Sequence, residues 1–314
     1  MPARRYLPSI ALVAVWFLWG STYLAIRVGV ETLPPYLMIG TRYVIAGVVL
    51  FAILRALAPR DKKPPLPTPR QLFHIAVTGV LLLTIGNGLL AVSETRVDTS
   101  IAALLVASTS IWMLLLEAIR VRKPIGTASA AGLVLGTLGI ALLVGHPLGG
   151  SDAWYMVLLL VSAFSWALGS VYARGSEHHP LAAPLEMLTG GALAVIVGLF
   201  LGEASHLNLA AVSLQSWLGM LWLIIGGALA GYTAFAFILR TLPAATVATF
   251  NYVNPVVAVL LGVTFLHEPM TWNVAAGGVA VIASVVVILL GNPVTQVNDC
   301  GADSARLKEL ETTP

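Results

Sequence analysis

Trp19, Asn87, Trp112, Trp166, Tyr232, Asn251 and Asn254 stand within long apolar runs, where polar and aromatic groups are out of place. At a rise of about 1.5 Å per residue, the three tryptophans fall near the middle of their runs, as do Asn254 and Pro255. Asn87 falls nearer one end of its run and Tyr232 a little off centre. Membrane tryptophans concentrate at the lipid–water boundary, so three at mid-depth are unusual. Facing lipid there would leave each indole N–H without an acceptor. Trp19, Trp112 and Trp166 are therefore expected to point inward. They either form flat apolar walls with N–H donors for an amphipathic solute or pack helix against helix. The three amides can bond a solute's carboxylate or ammonium, or bond a neighbouring helix. Pro255 removes a backbone donor, which frees a carbonyl one turn earlier for a solute ammonium, a hinge or a silent kink.

Ionisable groups inside such runs are expensive and default to functional candidates. Arg42 is about eight residues in from one end of its run, and Glu186 about five residues in from an end of its own. Their depths differ, which argues against a direct pair. Arg42 could attract an anionic solute, and Glu186 could titrate if transport is proton-coupled; either could equally bond a neighbouring helix or snorkel. Glu94, with Arg96 and Asp98, closes a run and reads as a gate or a solvated turn. Glu117, one turn before Arg120, reads as an interfacial helix pair.

The runs that carry these residues set the architecture. The chain has 314 residues, 58% of them hydrophobic and 10% charged, with a mean hydropathy of +0.91. A soluble domain carries roughly 25% charged residues. This composition excludes a soluble enzyme and a disordered chain. With a net charge of +3 and no basic face, no nucleic-acid partner is expected. Ten stretches of about 20 apolar residues suit a ~30 Å hydrocarbon core. They are 8–28, 35–56, 72–93, 99–119, 126–145, 153–173, 182–201, 216–239, 244–266 and 272–291. They are apolar all round, which excludes the alternation of a membrane barrel. The expectation is an all-α polytopic membrane protein with ten transmembrane helices. The first run reads as a retained helix rather than a cleaved signal, since no clear cleavage site follows it.

With the N-terminus inside, only Arg27, Arg42 and Arg96 of the 17 Lys and Arg fall away from the cytoplasmic side. The positive-inside rule thus places both termini in the cytoplasm. Residues 292–314 form a polar tail, expected to be disordered, which holds the single cysteine, Cys300. A phosphate-cradling Gly-rich loop, a His-Glu-x-x-His pair and a Gly-x-Ser-x-Gly elbow are all absent. The six histidines lie near run ends or in loops. Paired catalytic groups at one depth are also missing. The chain reads as a non-enzyme, with no cofactor and no metal expected.

The two halves resemble each other. Phe17-Leu18-Trp19 with Arg27 matches Phe164-Ser165-Trp166 with Arg174, and Lys123-Pro124 matches Glu268-Pro269, at nearly one offset. A unit of five spans is odd, so a second copy must insert upside down. Residues 1–145 and 153–291 are read as two inverted five-helix repeats, an arrangement of secondary transporters with the site near mid-membrane between them. Gly132-xxx-Gly136, Gly198-xxx-Gly202 and Gly227-xxx-Gly231 permit close helix packing within a monomer, and span 5 could also serve a weak homodimer.

Trp19-Gly20-Ser21-Thr22-Tyr23 with Arg27, and Tyr252-Val253-Asn254-Pro255-Val256 running to His267-Glu268-Pro269, resemble EamA-type members of the drug/metabolite transporter superfamily. Gly86-Asn87-Gly88, Ser165 to Tyr172 and Glu186-Met187-Leu188 resemble its YedA-type bacterial permeases. Tyr23 joins the substrate-binding candidates through this motif. The resemblance implies a ten-helix carrier in the bacterial inner membrane, usually an exporter of metabolites such as amino acids. A multidrug, nucleoside or sugar permease and a non-transporting sensor subunit are the alternatives. The first half departs from the pattern: Ser110 stands for a proline and Lys123 for a glutamate, so Pro-linked helix distortion is expected on one side only.

Overall fold

The computed structural model describes residues 3–57, 63–122, 125–144, 152–174, 176, 179–242, 244–247 and 249–291. Lys123, Pro124, His146, His178, Cys300 and the 292–314 tail lie outside the described residues.

Among the described residues the chain is helical throughout. A backbone in hydrocarbon must bond to itself, and the helix does so within one segment. Helix α1 is Ala3–Gly29 and α2 is Pro35–Ala56, with its proline in the first turn where no N–H is needed. Helix α3 runs through Pro69–Gly79, a π-helical Val80–Asn87 and Gly88–Ser93. It starts on a capping box: Gln71 N–H donates to Thr68 Oγ1 at 3.3 Å, and Thr68 N–H to Gln71 Oε1 at 2.9 Å. Helix α4 consists of Thr99–Val106 and Thr109–Val121, and α5 is Thr127–Val144. Helices α6 and α7 are Asp152–Arg174 and Ala182–Phe200. Helix α8 runs through Leu214–Trp222, a π-helical Leu223–Ala230 and Gly231–Thr241. Helix α9 is Phe250–Phe265, preceded by the single turn Ala244–Val247, and α10 is Trp272–Gly291. Seven of these are long and apolar enough to cross a membrane, and α5, α9 and α10 supply shorter apolar stretches.

The packing has a pattern. Helix α2 packs on α7, α5 on α10 and α4 on α9. Helix α1 packs on α9 and α8, while α6 packs on α4 and α3. Helix α3 also packs on α7, and α8 on α2. Exchanging each helix for the one five places on returns these same pairs, whereas the contacts of α2 with α3 and of α1 with α4 have no counterpart of similar extent. Glycines bring the peripheral pair close: a Cβ at Gly139 would stand 2.9 Å from the Gly277 carbonyl oxygen, and one at Gly277 3.0 Å from that of Gly139. Gly132 and Gly136 likewise face Ser284 and Ile288 of α10, so that helix of the same chain occupies their face. Ile10, Val13, Phe17, Phe200, Leu260 and Val279 are exposed apolar residues on the outer helix faces, as expected of faces turned to lipid.

Helix distortion is not confined to the half that holds Pro255. Helix α4 is interrupted at Ala107-Ser108, where Thr109 Oγ1 donates to the Val106 carbonyl at 2.7 Å and the next N–H groups bond back three residues instead of four. A hydroxyl that takes a helix carbonyl competes with the ladder and does part of what a proline does.

Candidate functional site

A cavity of about 540 Å³ lies among α1, α2, α3, α4, α6, α7, α8 and α9, with Ile288 of α10 at its edge. That volume suits a small organic solute. Trp19, Tyr23, Asn87, Trp166 and Tyr232 line it. So do Asn251, Asn254, Pro255, Arg42 and Glu186. Trp112 and Glu94 are not in its wall. Trp112 packs edge-on against Phe164 at 5.4 Å, with its indole N–H buried and unpartnered. Mid-depth alone did not separate it from Trp166, because depth says nothing of which way a helix is turned.

Trp19 and Trp166 occupy matching places. Trp19 crosses to α8, where its indole N–H donates to the Gly227 carbonyl at 3.1 Å and its ring lies against Gly231. Trp166 crosses to α3 and lies against Gly86, where a Cβ would come within 2.8 Å of the indole nitrogen. Each ring needs a glycine because it lies directly on a helix backbone. Tyr232, Phe235 and Phe250 surround Trp19 with ring centroids at 5.7, 4.8 and 5.3 Å. That makes one aromatic wall of the cavity.

Both rings rest on the π-helical turns, which sequence reasoning missed. A π turn misaligns the backbone ladder and leaves carbonyls for other donors. Those of α3 are taken by Asn87 Nδ2 to Leu82 at 3.1 Å, Ser165 Oγ to Leu81 at 2.7 Å and Ser162 Oγ to Gly86 at 2.7 Å. The sequence signal was the glycines, Gly86 within one turn with Gly88 directly after it, and Gly226 and Gly227 within the other with Gly231 directly after it.

Arg42 is 3% exposed on α2. Its Nη2 donates to the Tyr43 hydroxyl at 2.8 Å and to Asn87 Oδ1 at 3.0 Å, and the guanidinium carbon stands 4.4 Å from the Tyr43 ring centroid. Nε is buried without a partner, as is Asn254 Oδ1. Among the described residues the salt bridge present is Arg120–Glu117 at 2.5 Å, so no carboxylate neutralises Arg42 at contact distance. Tyr43, the partner that fixes the guanidinium, was not picked out from the sequence.

The cavity has one open and one closed end. Arg174 lines it and is exposed. At the opposite end Ser93, Glu94 and Thr99 are 0% exposed. There the Glu268 carboxylate receives the Thr99 N–H at 2.6 Å, the Ser100 N–H at 2.8 Å and the Ser100 hydroxyl. It caps the start of α4 from the far end of α9. His267 takes a left-handed φ of 55° to deliver it, the conformation Arg122 takes at the end of α4 with φ 54°. Glu94 lies one residue beyond the span Pro69–Ser93. Burial, and then the nearby Glu268 carboxylate, push its carboxyl well above the usual carboxylate range, against the pull of Arg27 and Arg42.

The family model described as the EamA-like transporter family matches residues 7–145 and again 153–290. The chain belongs to the EamA-like transporter family. It is a membrane transporter of that family within the drug/metabolite transporter group. It is 37% identical over 300 residues to the uncharacterized inner membrane transporter YedA of Escherichia coli K12, covering 92% of this chain and 93% of that one. It is 25% identical over 297 residues to a probable amino-acid metabolite efflux pump of Salmonella typhimurium, covering 90% and 94%. A solved crystal structure 18% identical to the EamA-like chain superposes with a TM-score of 0.61, over 91% of this chain and 99% of that one. That likeness concerns the fold.

Proposed function

We propose that the chain is a secondary transporter that exports small organic metabolites, amino acids among them, across the inner membrane by alternating access. It does so through ten transmembrane helices arranged as two inverted five-helix repeats, with both termini cytoplasmic. The two-fold family match, the helix packing that repeats after five, and the charge bias of the loops support that architecture. In this orientation the open end beside Arg174 faces the cytoplasm and the end sealed by Glu268 faces out.

The observation that carries the reading is Arg42. It is a buried cation in the wall of a largely apolar cavity, with no carboxylate at contact distance. An unpaired buried charge costs several kcal/mol, so such a site favours an anionic group that arrives with the solute. Asn254 Oδ1, unpartnered in the same wall, is an acceptor for an ammonium. A carboxylate donor and an amine acceptor around an aromatic wall match an amino acid. No ion other than the solute is needed for this recognition, which suits movement down a substrate gradient. Tyr23, Asn251, Glu186 and Pro255 complete the wall as contact or hinge residues.

Counterflow tests this. Proteoliposomes loaded with a mixed pool of unlabelled amino acids should accumulate particular labelled ones above empty liposomes, without an imposed pH gradient. Trp19→Ala and Trp166→Ala should lower that accumulation more than they lower folded yield. Folded protein that moves no amino acid would overturn the substrate class, and equal loss of yield and flux would make the two rings packing elements only.

A further inference from the structure

Three carboxylates close the end of the bundle opposite Arg174, and two of them are fully provided for. Glu268 takes two backbone N–H groups and a hydroxyl at the start of α4. Glu203 takes the Tyr36 and Leu37 N–H groups at the start of α2, at 3.1 and 2.8 Å. Glu94 is the exception. It is wholly buried, and neither carboxylate oxygen has a hydrogen-bond partner. Arg27, the nearest cation, donates to the Glu94 backbone carbonyl and not to its carboxylate.

A carboxylate shut off from bulk solvent, with no protein donor and no contacting cation, is not a stable species, whereas the neutral acid is tolerated. The charged and titratable groups facing it come from each neighbouring element: Tyr23 and Arg27 from α1, Arg42 from α2, and Glu268 from the turn after α9. On its own turn, Arg96 is exposed and Asp98 half-buried. Glu268 opposes ionisation while the two arginines favour it. Burial dominates because it removes every hydrogen bond the anion would require.

We propose that Glu94 is a proton-binding site that links opening of this end to pH: it holds one proton while the end is sealed and releases it to the adjoining water when the end opens. The inference rests on the carrier reading for its meaning, since only a carrier has a reason to open there. The sign follows from linkage. The sealed state binds one more proton than the opened state between the two carboxyl values, so rising pH favours opening by about tenfold per pH unit in that interval. In the exporter orientation, alkaline water outside eases release of the solute, and acid outside holds the gate shut.

Two readouts on purified protein in nanodiscs test this, and neither needs a transported solute. Infrared spectra near neutral pH should contain a protonated-carboxyl stretch that Glu94→Gln removes. In a Cys300→Ser background, maleimide labelling of the buried Ser93→Cys position should accelerate with pH, relative to the same position with Glu94→Gln added, by up to about tenfold per pH unit. Taking the ratio cancels the titration of the thiol itself. If Glu94→Gln does not fold, Glu94→Asp should shift the band and keep the pH dependence. A spectrum with no band assignable to Glu94, meaning an ionised side chain held by Arg27, overturns the proposal, as does a labelling ratio flat with pH. A chain that passes both tests yet moves no amino acid would overturn the substrate class alone and leave the proton site standing.

Discussion

The sealed end and the cavity treat charge in opposite ways. At the sealed end, Glu268 and Glu203 are saturated by helix N-terminal N–H groups, and Arg27 is tied to a backbone carbonyl. In the cavity, Arg42 has a tyrosine and an asparagine for partners and no counter-charge in contact, and Asn254 keeps an oxygen to spare. At the end that excludes water, the capping carboxylates find their donors within the protein. A region that must receive a solute leaves some of that valence open. Glu94 breaks the pattern, a cavity-like deficit placed at the sealed end, and that is why a proton is the ligand assigned to it.

The comparison is broken most directly at Arg42. Arg42→Gln should reduce counterflow of carboxylate-bearing solutes about 10- to 100-fold, because a hydrogen bond to a charged group is worth about 1.5–3 kcal/mol. Folded yield should hold, since the substitution removes a buried charge that no protein carboxylate contacts. Loss of folding with loss of flux would instead make Arg42 a structural tie between α2 and α3. At the other end, Glu268→Gln should loosen the seal by about 1 kcal/mol, the difference between a charge-assisted and a neutral cap. The thiol of Ser93→Cys would then label several-fold faster, and an unchanged rate would show that packing alone closes this end. Trp19→Phe keeps the aromatic wall and removes only the bond to the Gly227 carbonyl, a cost of about 1 kcal/mol read as a small fall in thermal stability with flux largely kept. Glu117→Gln should change stability by no more than about 0.5 kcal/mol, since its partner Arg120 is exposed.

Much of the fold was readable from residue type. The apolar runs located the helices to within a few residues, and the repeated Trp and X-Pro motifs announced the doubled family match. Ten of the residues singled out as candidates line one cavity. Trp112 and Glu94 stand apart from it because their positions on the helix surface depend on how α4 is broken and how α3 ends. The π turns of α3 and α8 were not readable. They arise where Trp19 and Trp166 press on a neighbouring backbone, a contact between segments far apart in the chain.

Composition and spacing decided that the chain is helical and membrane-embedded, because hydrocarbon tolerates few backbone solutions and length sets the span. Tertiary structure decided which polar groups are satisfied. Glu268 and Thr99 are separated by 169 residues and Arg42 and Asn87 by 45, so whether a carboxylate is a cap, a counter-ion or a proton site depends on donors that only folding brings to it.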